Sequence, residues 1–118
     1  MSMNFIVRKE EDYSYIKVVR DRLDSCISPN LKAELVVLAR NQKSNIIIDL
    51  SDCTSCDSSG LSAILVGNRL CRDSGGTFII CNLSPNVEMM IKLAKPDLIL
   101  QVAVNLEEAE KLLANNHE

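Results

Sequence analysis

The chain is predicted to form an α/β fold: a mixed sheet with a parallel centre, packed against helices. Three observations predict it. Residues 45–50 contain Ile46, Ile47, Ile48 and Leu50, an apolar run that suits a strand buried on both faces. Thr77-Phe78-Ile79-Ile80-Cys81 is a second such run. Segments with helical spacing alternate with these strands, as crossover helices alternate with parallel strands.

Taken in order, Met3–Arg20 alternates in two pieces. Phe5 and Val7 alternate with Ile6 and Arg8, Glu10-Glu11-Asp12 makes an acidic turn, and Tyr13, Tyr15, Ile16, Val18 and Val19 follow. Two strands joined by a turn are expected there. Asp21–Ile27 reads as loop. Ser28-Pro29 reads as a helix start, with Ser28 as cap and Pro29 at the first helical position. Leu31, Leu35 and Leu38 carry that helix to about Asn41 or Gln42.

After the central strand, Asp57-Ser58-Ser59-Gly60 leads into Leu61, Ile64, Leu65 and Asn68, one stripe of a second helix. Asp57 or Ser58 is its N-cap, because a short side-chain oxygen there accepts a bond from a free backbone N–H. Ser74-Gly75-Gly76 stops it near Asp73. The strand at 77–81 precedes Ser84-Pro85, again a cap with proline. Val87, Met90, Ile91 and Ala94 give a third helix, ended by Lys95-Pro96. A short strand falls near Gln101–Val104. Asn105 with Glu108 is a capping-box variant opening a last helix to about Ala114. The expected order is β-β-α-β-α-β-α-β-α.

At 118 residues the chain has the size of one domain, 1–118, with a core over about 3–114 and a polar tail at 115–118. Hydrophobic residues make up 47% and charged residues 25%, a globular composition. The aromatic residues are Phe5, Tyr13, Tyr15 and Phe78, so the core is aliphatic. A net charge of −3 without an aromatic-and-basic cluster argues against nucleic acid. No stretch approaches the roughly 20 apolar residues of a membrane span. The first residues, MSMNFIVRKEED, lack the apolar core of a signal peptide, and a cytoplasmic location is expected. Cys26, Cys53, Cys56, Cys71 and Cys81 are expected to be reduced thiols. Cys53-Thr54-Ser55-Cys56 has C-x-x-C spacing but precedes the helix cap. A zinc site would need ligands that no second pair supplies, and His117, the only histidine, lies in the tail. These cysteines read as small apolar filler. No cofactor or metal is expected.

The loop before the second helix is the candidate site. It lies beyond the carboxyl end of a parallel strand, where such folds place ligands and partners. A helix N-terminus has free N–H groups and partial positive charge, so it stabilises a phosphate, bound or covalently attached. Asp57-Ser58 as a plain cap is the simpler reading of the local pattern.

At these residues the chain resembles the STAS domain, above all the stand-alone bacterial anti-sigma factor antagonists. The resemblance rests on Asn45–Leu50 followed by Asp57-Ser58-Ser59-Gly60-Leu61. It rests also on Gly75-Gly76 before a strand, on Cys81 through Ser84-Pro85-Asn86-Val87, and on Leu23-Asp24 ahead of the first helix. It implies phosphorylation at Ser58 by an anti-sigma factor that is also a serine kinase. The unphosphorylated form would bind that anti-sigma factor and release a sigma factor, and a metal-dependent phosphatase would reset the switch. It implies a partner-binding surface of Asp24, Asp57, Ser58, Ser59 and Gly60. The family usually has Gly shortly before Leu-Asp, whereas Asp21-Arg22 stands here.

Two rival classes differ from this. An enzyme would need a nucleophile with a positioned base, and Ser58 has only carboxylates near it in sequence, so no enzyme is expected. A nucleotide-binding module would need a Lys-bearing phosphate loop, which the helix mouth lacks. A third reading keeps the fold and drops the kinase: a non-switching STAS subunit of a lipid-transport or stress-signalling complex.

Overall fold

The computed structural model describes residues 4–40, 44–94 and 100–115. Strands β1 (Phe5–Lys9) and β2 (Ser14–Val18) come first, then a short β3 (Arg22–Leu23) and helix α1 (Ser28–Leu38). Strand β4 (Ile46–Asp49), a short β5 (Ser55–Cys56) and helix α2 (Ser58–Asp73) follow. Strand β6 (Phe78–Cys81), helix α3 (Pro85–Ala94), strand β7 (Gln101–Ala103) and helix α4 (Leu106–Asn115) complete the order.

Five strands form one sheet in the order β1-β2-β4-β6-β7. β1 pairs antiparallel with β2, and the remaining pairs are parallel. β4 and β6 are buried at every position, as their unbroken apolar runs require. One sheet face meets α1, α2 and α3 through Leu31, Leu35, Leu61, Ile64, Val87 and Ile91. The other meets α4 through Tyr15, Ile47, Ile79, Ala109 and Leu113.

Asp21–Ile27 departs from the expected loop. Arg22 and Leu23 pair in parallel with Ser55 and Cys56 as a separate two-stranded sheet. Two residues carry no readable alternation, and this sheet exists only because the tertiary fold brings the segments together. The start of α1 also departs. Its N-cap is Ile27, which makes no side-chain cap bond. Ser28 is already helical, and its hydroxyl donates to the Asp24 carbonyl at 2.6 Å. The same carbonyl accepts the Ile27 and Ser28 N–H groups, so a turn at Asp24 replaces the serine cap. α1 ends at Leu38 with Ala39 as C-cap, short of Asn41 and Gln42, which lie outside the described residues.

The other helix ends follow the sequence. Ser84 Oγ accepts from Val87 N–H at 3.3 Å, and Asn105 Oδ1 accepts from Glu108 N–H at 2.9 Å. The Glu108 carboxylate meets Lys111 at 3.5 Å. α2 stops at Gly75, whose φ of 82° suits glycine, and Gly76 N–H bonds back to the Cys71 carbonyl. The expected stop at Lys95-Pro96 lies outside the described residues, as do His117 and most of the expected tail.

Candidate functional site

The mouth of α2 is assembled from three segments: the turn after β3, the start of α1, and the loop from β5 into α2. Asp57 is the N-cap, with extended backbone. Its Oδ1 accepts the Gly60 N–H at 3.0 Å and the Ser59 hydroxyl at 2.6 Å. These two bonds hold the Asp57 carboxyl below the usual carboxylate range, the Ser59 bond being the larger cause. Asp57 is exposed, so its charge stays hydrated.

Ser58 and Ser59 differ sharply. Ser58 is the first residue of α2 and is exposed. Among the described residues its hydroxyl has no hydrogen-bond partner. Ser59 is half-buried, bonded to Asp57, and 3.3 Å from the Ser28 hydroxyl. Ser28 in turn donates to the Asp24 carbonyl at 2.6 Å. The Asp24 carboxylate accepts the Cys26 N–H at 3.0 Å, closing its own turn. Asp57, Ser59, Ser28 and Asp24 thus form one connected network, while Ser58 stands outside it.

Gly60 forms the floor of the mouth. A Cβ there would sit 2.3 Å from the Leu23 carbonyl oxygen and 2.9 Å from Cys56 Sγ. Asp57 N–H bonds to that same Leu23 carbonyl at 3.1 Å. The small β3–β5 sheet therefore fixes where α2 begins, and only glycine lets the helix approach so closely. Arg22 and Asp24 line an open concavity of about 420 Å³ together with Asn4, Arg20 and Asn30. Arg20 donates to the buried Asn4 Oδ1 at 2.7 Å.

A second polar cluster lies at the end of β4. Tyr15 donates its hydroxyl to Asp49 Oδ2 at 2.5 Å in a buried bond. Ser51 N–H donates to Asp49 Oδ1 at 2.9 Å, and the nearby Asn82 side chain also favours the charged form. Burial pushes the Asp49 carboxyl up, but these donors together outweigh it and hold the group below its ordinary value. Burial, then the bond to Asp49, pushes the Tyr15 phenol up. The Arg8 guanidinium lies 4.4 Å from the Tyr15 ring centroid.

The cysteines are free thiols. Cys26 is exposed and the other four are buried. Burial pushes the Cys53 thiol up to about 12 and that of Cys56 up to about 11, which makes them poor nucleophiles at neutral pH. Cys56 belongs to β5 and packs beneath Gly60. Among the described residues no group of three His, Cys, Asp or Glu could hold a metal ion, and no helix is long and apolar enough to cross a membrane.

The structure brings together Asp24, Asp57, Ser58, Ser59 and Gly60, the residues that the sequence singled out. Ser28 and Leu23 were missed as parts of the site. Ser28 read as a cap, and the Leu23 contribution is a carbonyl, which no side chain advertises.

Solved structures share this architecture. A STAS-domain anti-sigma-factor antagonist protein from Planctomyces limnophilus aligns with a TM-score of 0.82 at 18% identity, over 92% of this chain and 96% of that one. The anti-sigma factor antagonist SpoIIAA in its unphosphorylated form aligns at 0.71 and 18% identity, over 94% and 97%. A chain of the stressosome, a signal integration and transduction hub, aligns at 0.74 and 21% identity, over 96% and 99%. The family model of the STAS domain matches residues 6–109. That match runs from β1 into α4 and takes in the whole mouth of α2, and the chain belongs to the STAS domain family.

Proposed function

We propose that the protein is an anti-sigma factor antagonist of the cytoplasm, acting as a binding module rather than an enzyme. In this reading the unphosphorylated form docks the mouth of α2 on an anti-sigma factor with serine kinase activity. Docking frees a sigma factor, phosphorylation of Ser58 ends it, and a phosphatase restores it. Asp24, Asp57, Ser59 and Gly60 shape the docking surface.

One observation carries this reading: Ser58 is exposed with its hydroxyl unpartnered, at the first position of α2, while Ser59 is tied into the Asp57–Ser28 network. A phosphate on Ser58 would face the free N–H groups of the first turn, so the domain tolerates it. It would add about −1.5 to −2 of charge beside Asp57. Buried unmatched in an interface, that charge costs about 2–5 kcal/mol, and each 1.4 kcal/mol is about a factor of ten in affinity.

The test incubates wild type, Ser58→Ala, Ser58→Asp and Ser59→Ala with the candidate kinase and ATP, followed by phosphopeptide mapping and pull-down. Ser58→Ala is expected to bind the partner without being phosphorylated, and Ser59→Ala to remain a substrate. Ser58→Asp is expected to bind at least about thirtyfold more weakly. Phosphate on Ser59 alone, or equal binding by Ser58→Asp and wild type, refutes the assignment.

A second reading has its own support. The similarity to a stressosome chain fits a subunit of a stress-signalling assembly that docks without a switch. Under that reading no kinase labels Ser58, and the protein is recovered in a large complex.

A further inference from the structure

We propose that the C-terminal half of α2 carries an oxyanion site, in which Asn68, Arg69 and Arg72 together take the phosphate group of a small molecule. Two hollows of about 240 and 500 Å³ share Asn68 and Arg72 in their walls, and Arg69 lines the larger one. At a rise of about 1.5 Å per residue, Arg69 lies about 16 Å along α2 from Ser58. The site is therefore separate from the mouth and does not rest on the switch at Ser58.

Asn68 is the residue that calls for a ligand. It is 9% exposed, yet among the described residues its side-chain amide has no hydrogen-bond partner. Among the described residues no fully buried side-chain nitrogen or oxygen lacks a partner. The Asn68 amide atoms are therefore what remains open to the outside, through the hollows that the residue lines. A nearly buried amide left in this state needs a reason. Asparagine is also a weak helix former, and an apolar side chain would suit this helix-interior position better. Arg69 and Arg72 are exposed, and among the described residues neither guanidinium has an ion pair or a hydrogen bond. The negative end of the α2 dipole accounts for a cation at Arg72. It does not account for the open amide beside it.

The donors name the ligand. Residues 68 and 72 are i, i+4 neighbours and 69 and 72 are i, i+3 neighbours, so the three side chains share one patch of helix surface. Two guanidinium forks and an amide match the several oxygens and the double charge of a phosphate, free or esterified. A carboxylate fills one fork and leaves the second guanidinium and the amide unmatched. Asp73 lies in the wall of the larger hollow, and with the helix C-terminus it opposes an anion. Two cations still outweigh one carboxylate, and weak binding of about 1 mM is expected.

Titration of isotope-labelled protein with sodium phosphate at constant ionic strength tests this, read from the side-chain N–H signals of Asn68, Arg69 and Arg72. Those signals are expected to shift together and to half-saturate at about 1 mM. Glycerol phosphate and acetate are parallel titrants. Equal or tighter binding of glycerol phosphate assigns the site to phosphate esters, and binding of inorganic phosphate alone assigns it to the free ion. Acetate is expected to bind about fivefold more weakly or worse. Asn68→Leu and Arg72→Gln are each expected to weaken phosphate binding about fivefold or more. Lys9→Gln removes a cation from exposed β1 and is expected to leave binding unchanged. Asn68→Leu removes an unpartnered polar group, so without phosphate it is expected to melt no lower than wild type. Arg72 is exposed, so Arg72→Gln keeps the fold and tests the site on its own. No saturation by about 20 mM phosphate, an equal response to acetate, wild-type binding by Asn68→Leu, or an equal loss in Lys9→Gln overturns the proposal.

Discussion

Asp57 and Asp49 both carry a carboxylate just beyond or at the end of a strand, and the fold holds them in opposite ways. Asp57 is exposed, and its charge is kept by Gly60 N–H, the Ser59 hydroxyl and water. Asp49 is 5% exposed and depends on Tyr15, Ser51 and Asn82. A charge lost or added at the wet mouth of α2 changes little inside the domain. A donor lost at Asp49 leaves a desolvated charge unmatched. The difference teaches where a switch can sit: on a surface where another charge is cheap for the fold and expensive only for a docked partner. Asp49 instead ties β2 to β4 and to the turn at Ser51.

The most damaging expected change at the mouth concerns its floor rather than its charge. Gly60→Ala drives a Cβ against the Leu23 carbonyl, a backbone atom that cannot swing aside. A loss of about 3 kcal/mol is expected in urea denaturation at neutral pH. A loss below about 0.5 kcal/mol would show that the β3–β5 sheet yields freely and does not set the start of α2.

Tyr15→Phe sharpens the comparison from the other side. It removes one donor from a buried carboxylate and leaves the ring in place beneath Arg8. A loss of about 2 kcal/mol is expected, as for a hydrogen bond to a charged group. Partner binding should be unchanged in the same pull-down that detects Ser58→Asp. A variant that loses partner binding while keeping its stability would place Tyr15 in the docking surface.

These contrasts were unequally legible in the sequence. The main sheet and the four helices announced themselves through the Ile46–Ile48 run, the Phe78–Cys81 run and three clear helix starts. Asp57-Ser58-Ser59-Gly60 was legible as a cap with hydroxyls. The β3–β5 sheet was not, because two-residue strands have no period. Ser28-Pro29 carries the sequence mark of a cap, and the competing turn at the Asp24 carbonyl has none. The Tyr15–Asp49 pair was invisible for another reason: its partners are 34 residues apart and meet only across the β2–β4 register, two residues beyond direct alignment.

Asp57→Ala tests the cap alone. It removes the acceptor for Gly60 N–H and Ser59, and a loss of about 1 kcal/mol is expected at neutral pH. The folded-state pKa of Asp57 is depressed. Its stabilisation is therefore full above the ordinary carboxylate value of about 3.9 and fades as pH falls through the lower folded value. Wild type and variant should converge in acid. A gap that stays constant with pH would assign the loss to packing rather than to the charged cap.

The smallest expected effect is at Ser58, and it isolates the switch from the fold. Its hydroxyl makes no bond among the described residues, so Ser58→Ala should lie within about 0.5 kcal/mol of wild type. Ser59→Ala breaks the 2.6 Å bond to Asp57 and the contact with Ser28, and should cost about 1 kcal/mol. Ser58→Asp gains from the α2 dipole and loses from Asp57 beside it, so its stability should also stay near wild type. Thermal and urea unfolding of the three variants, set beside the pull-down, separate the two roles. If Ser58→Asp unfolds more readily than Ser59→Ala, the mouth does not tolerate charge, and loss of partner binding in that variant would reflect the fold rather than the interface. If Ser58→Asp is as stable as wild type and still fails to bind, the added charge acts on the partner alone.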